Sequence, residues 1–437
     1  MPRLARHSFV GGLLLLLGVF ASQHALAKAN AAAAPRQTPP PALKRPLRML
    51  ALGDSVMWGQ GLLEQNKFSF KLRDWLCAQR GDEYCQGGQG VHLHAEAHSG
   101  AIISKPDNKR EREAEERFTR DTTPIRYAGE VNNAYPTLWG QLELARRYYR
   151  NNSIPAGEVD LVLVNGCIND ISATRLLVHR LVGGNLKKLA AKYCRDEMKR
   201  FLPEVADAFP NARIVVPGYF PLVSECTPPY ILFETLKEWL FGGKEAKAEE
   251  FEAFQDDWAG QEPWDALPCP PTPDTARTTR TMKRLAERSR EFVEKSNEAL
   301  KAAVEHLNEK RPPLAVSNAD SAAAPPDASA RALFVAVPFG HDNVYAAPNS
   351  FLWRLGRKDP SLVLKCADDN IITRFVVNDE MQKDRPCMCD QAERKNDQVC
   401  FRAGAFHPNR EGANAYFEAI SERLEPILRF TGWAAKN

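Results

Sequence analysis

The chain has 437 residues, 44% hydrophobic and 26% charged, with 58 basic and 55 acidic side chains for a net charge of +3. Such a near balance excludes a strongly basic nucleic-acid binder, and the apolar content is ample for a folded core. Ten cysteines, an even number, point to disulfides in a chain that reaches an oxidising compartment.

The first 27 residues carry a secretory pattern. Arg3, Arg6 and His7 supply a charged start, residues 9–21 an apolar stretch, and Ala25-Leu26-Ala27 a small-x-small cleavage site. The stretch is shorter than the ~20 residues a spanning helix needs. A secreted or periplasmic product without an integral membrane segment is therefore expected, with a retained N-terminal anchor as the alternative. Cleavage removes two basic residues and leaves 56 against 55 acidic ones, a balance of +1 with no pull towards nucleic acid. Residues 28–46 form a Pro/Ala-rich linker, and 47–437 are expected to be one domain with insertions at about 226–273 and 340–402.

Five short apolar runs are expected as strands: 47–52, 91–97, 159–165, 213–216 and 332–337. The third, from Val159 to Val164, is almost continuous rather than alternating, as suits a strand covered on both faces. Helical or loop-rich stretches separate the runs. That alternation predicts a three-layer α/β/α sandwich around a parallel five-stranded sheet. Function in such sheets gathers at the carboxyl ends of strands. Gly53-Asp54-Ser55 ends the first run, Ser99-Gly100 follows the second, and Asn169-Asp170 follows the third.

Residues 109–120 mix charges of both signs at helical spacing and read as a solvated helix face. The longest expected helix spans 280–310, where Met282, Leu285, Phe292, Ala299, Ala303 and Leu307 make one apolar stripe. A final helix is expected from 411 to about 429. The insertion at 226–273 carries Phe233, Trp239, Phe241, Trp258 and Trp264, with a Cys226–Cys269 bridge expected to clamp its base. Each insertion either covers the sheet or forms a substrate lid or wall. Proximity also pairs Cys77 with Cys85, and puts Cys366, Cys387, Cys389 and Cys400 among themselves. Cys167 is left either to Cys194 or as a free thiol lining the site. No Cys-x-x-Cys pair occurs, which argues against a zinc ribbon or thioredoxin-like centre.

Gly53-Asp54-Ser55, Ser99-Gly100, Asn169-Asp170 and His407-Pro408-Asn409, in that order, resemble the four blocks of the SGNH hydrolases, the GDSL esterase/lipase family. The resemblance implies a flavodoxin-like SGNH fold and a serine esterase with no cofactor or metal. Its substrate would be a small-molecule, lipid or glycan ester. Ser55 would be the nucleophile and His407 its base; the N–H groups of Ser55 and Gly100 and the amide of Asn169 would form the oxyanion hole. Asp54 and Asp170 are read as fixing local backbone.

The chain departs from the family at two places. Cys167 stands where the third block usually has glycine, and Gly404 stands where the family's acid lies, three residues before the histidine. A backbone carbonyl then orients His407, or an acid arrives from the 340–402 insertion. Asp342 is the best placed, with Asp390 and Asp397 as alternatives, and His341 is a second-choice base. Three other readings stay open. One is an O-acyltransferase using the same residues, and one is a catalytically impaired binding protein on this scaffold. The third is a zinc site on one face of the second strand, from His92, His94, Glu96 and His98.

Overall fold

The computed structural model describes residues 45–81, 85, 90–120, 133–177, 185–229, 231–233, 235–236, 269, 280–314, 325–354, 363–365, 371–373, 404–431 and 433. The expected signal peptide, nearly all of the linker and much of both insertions, including Trp239, Phe241, Trp258, Trp264, Asp390 and Asp397, lie outside the described residues.

Strands β1 (Leu47–Leu52), β2 (Val91–Ala95), β3 (Leu161–Val164), β4 (Arg213–Pro217) and β5 (Ala332–Val335) form one sheet in the order β2-β1-β3-β4-β5. Every neighbouring pair is parallel. The fold class is the α/β class expected. The apolar runs make sense once burial is known: β3 and β4 are buried along their whole length and β1 nearly so, whereas β2, at the edge, is half-exposed and carries His92 and His94. Burying such side chains contributes roughly 1.5–3 kcal/mol for each large aliphatic residue.

Helices cover the sheet. α1 (Phe68–Arg80) packs against α6 (Arg410–Thr431), while α5 (Arg280–Lys310) packs against α4 (Met198–Ala208) and the turns before it. The stripe on α5 is buried at Met282, Leu285, Phe292, Ala299, Ala303 and Leu307, as its spacing predicts. Between β2 and β3 run α2 (Lys109–Arg120), with no buried residue, and α3 (Leu138–Asn151). The charged α2 is not merely solvated: Glu115 accepts from the N–H and hydroxyl of Thr137, the N-cap of α3, at 2.9 and 2.8 Å.

The strand 91–97 was expected longer than observed. The N–H groups of Glu96 and Ala97 both turn to the carbonyl of Ala51, at 3.0 and 3.2 Å, so the chain leaves the ladder there. β2 and β3 lie on opposite sides of β1, which makes the carboxyl ends of β1 and β3 a topological switch point, the place where open α/β sheets leave a crevice.

Three disulfides join Cys77 to Cys85, Cys167 to Cys194 and Cys226 to Cys269. Cys366, Cys387, Cys389 and Cys400 lie outside the described residues. No helix among the described residues is long and apolar enough to cross a membrane.

Candidate active site

β1 ends at Leu52, and two residues, Gly53 and Asp54, turn the chain into the single helical turn Ser55–Trp58. A Cβ at Gly53 would lie 2.0 Å from Asn165 Oδ1, so only glycine fits. The Gly53 peptide is held on both sides by Gln141: Gly53 N–H donates to its Oε1 at 2.8 Å and its Nε2 donates to Gly53 O at 3.0 Å. Asp54 caps the turn, accepting from the Val56 N–H at 2.9 Å.

The other contacts of Asp54 come from far along the chain. Asn165, just past β3, donates to Oδ1 at 3.0 Å and accepts from the Asp54 N–H at 3.2 Å. The Tyr219 hydroxyl, past β4, donates to Oδ2 at 2.6 Å and accepts from the Ile168 N–H at 3.3 Å. Complete burial pushes the Asp54 carboxyl above its ordinary range, against the pull of these donors. Burial likewise pushes the Tyr219 phenol far up, so it keeps the proton it donates. Ser55 thus sits on a turn fixed from behind by a closed polar network.

His407 approaches from the other end of the chain. Its Nε2 lies 2.6 Å from Ser55 Oγ, and its Nδ1 lies 3.1 Å from the carbonyl of Ala405. A carbonyl only accepts, so Nδ1 carries the proton there and Nε2 turns its lone pair to the serine hydroxyl. The loop bearing His407 is held by main chain. Trp353 N–H donates to His407 O at 2.8 Å, Phe406 N–H to Trp353 O at 3.2 Å, and Asn409 N–H to Phe351 O at 2.8 Å. Asn409 also accepts from Gly412 N–H at 3.0 Å, capping α6. A Cβ on Gly412 would meet the Phe351 carbonyl at 2.3 Å.

Gly100 has φ +83°, a backbone state that favours glycine. Asn169 donates from Nδ2 to the Ala101 carbonyl at 2.9 Å, tying the third block to the loop of the second; among the described residues its other amide hydrogen has no acceptor. Asp170 accepts from the N–H of Ile103 and from the N–H and hydroxyl of Ser104, at 3.0, 3.0 and 2.6 Å. It therefore holds the loop just after Gly100. Cys167 has φ +110°, a backbone state that favours glycine; here a cysteine takes it and is bonded to Cys194.

The remaining candidates lie apart from this cluster. Asp342 is half-buried, accepts from Asn349 Nδ2 at 3.0 Å, and makes no hydrogen bond to His407; the Asn349 bond holds its carboxyl below the ordinary range. His341 is exposed and stands beside the Cys226–Cys269 disulfide. The four side chains of the second-strand zinc reading do not converge. His94 Nε2 pairs with Glu96 Oε1 at 2.7 Å and its ring stacks on Tyr148 with centroids 3.6 Å apart, while His98 turns into the core. Among the described residues, three metal-ligand side chains gather at Cys226, Cys269 and His341, where both sulfurs are spent in a disulfide.

Gln141, Asn165, Tyr219 and the segment Ser350 to Trp353 escape a reading of the sequence. The one available signal was Asn165, a polar residue closing an apolar run.

No protein-family model matches the sequence, and no curated protein sequence does either. Among solved structures, an extracellular lipase from Streptomyces rimosus is similar at 12% identity over 86% of this chain and 99% of its own, with a TM-score of 0.38. A carbohydrate esterase family 2 enzyme with a carbohydrate-binding domain, from Corynascus thermopiles (Myceliophthora fergusii), is 15% identical over 70% of this chain and 60% of its own, at 0.27. The lipase Lip_vut3 from a goat rumen metagenome is 13% identical over 56% of this chain and 97% of its own, at 0.24. Likenesses this distant transfer neither a substrate nor a residue role.

Proposed function

We propose that this protein is an exported serine esterase of the SGNH type that cleaves carboxylic esters through an acyl-enzyme on Ser55. The observation that carries the reading is the 2.6 Å approach of His407 Nε2 to Ser55 Oγ across 352 residues of chain. A serine hydroxyl is a weak nucleophile until a base takes its proton, and this pair supplies one.

In the proposed reaction, Ser55 Oγ attacks the ester carbonyl as His407 Nε2 takes the hydroxyl proton. The ring is then protonated at both nitrogens, and the Ala405 carbonyl accepts from Nδ1–H throughout. The tetrahedral oxyanion is met by the N–H groups of Ser55 and Gly100 and by the second amide hydrogen of Asn169, the one not donated to Ala101 O. Losing one such donor typically costs ~10²–10³ in turnover. Collapse breaks the bond to the alcohol oxygen, which receives the proton from Nε2. Water then attacks the acyl-enzyme with His407 again as base, releasing the acid and restoring Ser55.

Asp342, tied to Asn349 instead, is not given a part. Export is supported by residues 1–27 and by three disulfides, which persist in oxidising compartments. The substrate is an acyl lipid, a small ester or an acetylated sugar. Replacing Ser55 by alanine is expected to lower p-nitrophenyl acetate hydrolysis by about 10³–10⁶-fold with an unchanged circular dichroism spectrum. A folded Ser55→Ala protein that keeps wild-type turnover would remove the serine from the chemistry.

A further inference from the structure

His98 lies between the second strand and Ser99-Gly100, with its side chain 6% exposed. Both ring nitrogens face carbonyl oxygens: Nδ1 is 2.8 Å from Ser99 O and Nε2 is 2.8 Å from Pro136 O. Its own main chain is pinned too, with the N–H donating to Gly53 O at 3.2 Å and the carbonyl accepting from Ala101 N–H at 3.4 Å. Burial pushes the imidazole down, while the two carbonyls and nearby Glu96 pull it up. In either protonation state that keeps Nδ1–H, the bond to Ser99 persists.

The Ser99 carbonyl and the Gly100 N–H belong to one peptide unit. That unit is trans, so the carbonyl and the N–H point in opposite directions, and whatever holds the oxygen aims the hydrogen. Glycine at φ +83° leaves this peptide without side-chain restraint of its own. Two donors supply the restraint: His98 Nδ1–H, and the N–H of Asn133 at 2.9 Å. A carbonyl that accepts hydrogen bonds also polarises its peptide and strengthens the opposite N–H as a donor. The Pro136 carbonyl, immediately before the N-cap of α3, anchors the far side of the ring to the core.

We infer that His98 is a positioning residue whose Nδ1–H, donated to Ser99 O, aims and polarises the Gly100 N–H towards the oxyanion. The inference rests on the esterase reading above, in which Gly100 is an oxyanion donor.

Two substitutions separate this role from simple packing. An asparagine amide reaches about where Nδ1 lies, a glutamine amide about where Nε2 lies. His98→Asn keeps the donor to Ser99 and is expected to hold kcat for p-nitrophenyl acetate within about threefold of wild type. His98→Gln keeps only the Pro136 side and is expected to lose about 10–100-fold in kcat with KM little changed, since small misplacements of catalytic groups carry costs of that order. Equal effects of the two, or a larger loss for asparagine, would overturn the inference. On the unsubstituted protein, the ¹⁵N spectrum of His98 should show a protonated Nδ1. A ring protonated only at Nε2 would overturn it without any variant having to fold. Retained activity in Ser55→Ala, by contrast, would strike the esterase reading and say nothing of His98.

Discussion

The two halves of the candidate site are held by different means. Ser55 is fixed by side chains: Gln141, Asn165 and Tyr219, separated from the turn by 88, 111 and 165 residues, converge on Gly53 and Asp54 beneath it. His407 is fixed by main chain: its loop pairs with Phe351 and Trp353, and Leu352 bridges to Pro408. A polar network of buried side chains fails when one member is removed, because its partners are left unpaired. A main-chain pairing tolerates most side-chain changes and fails when the backbones are forced apart. The nucleophile should therefore be sensitive to the loss of atoms and the base to their addition.

The base side offers the larger break. In Gly412→Ala the new methyl would meet the Phe351 carbonyl at 2.3 Å and Pro408 Cβ at 2.9 Å, and neither is a flexible side-chain end. A loss of about 1–3 kcal/mol, the usual range for overpacking, is expected in thermal unfolding, with turnover reduced as the His407 loop shifts. Unchanged stability and activity would show that the pairing with Phe351 does not hold the base.

On the nucleophile side, Tyr219→Phe removes one oxygen and adds nothing. Asp54 Oδ2 and the Ile168 N–H both lose a partner in a fully buried place. Denaturant unfolding should register about 1–2 kcal/mol of destabilisation. A neutral Tyr219→Phe would mean that the network does not brace the turn.

The smallest effect belongs to Asp342, a half-buried residue whose carboxylate is engaged with Asn349 in a solvent-exposed bond. Asp342→Asn should leave kcat/KM within about twofold, because its bond is to a surface amide. A drop approaching the ~10⁴ typical of a lost orienting acid would make Asp342 a member of a triad after all.

The sheet was legible because burial on both faces writes itself into the chain as unbroken apolar runs, as at Leu161–Val164. Strand ends were less so: nothing in Glu96 or Ala97 says that both turn their N–H groups to Ala51. For the site, Ser55 and His407 stood out through the order of four short blocks. What braces them did not, because a glutamine in a helix or a tyrosine after a strand looks ordinary until folding sets it against Gly53 or Asp54. Cys167 was visible as an oddity, and its backbone shows why: the turn requires φ +110°, which the sequence meets with a disulfide-bonded cysteine instead of glycine. His98 was noticed as a metal ligand in a row of alternate residues. Beyond Ala95 the chain is no longer a strand, so that face does not continue, and the ring turns to two carbonyls instead.

The central claim is that Ser55 and His407 act as one unit, and a fluorophosphonate probe tests it most directly. Incubation with the wild-type protein followed by peptide mass mapping should find a single phosphonylated residue, Ser55, and His407→Ala should abolish the labelling in a protein that remains folded. Label on any other residue, or undiminished labelling of Ser55 without His407, would contradict the account.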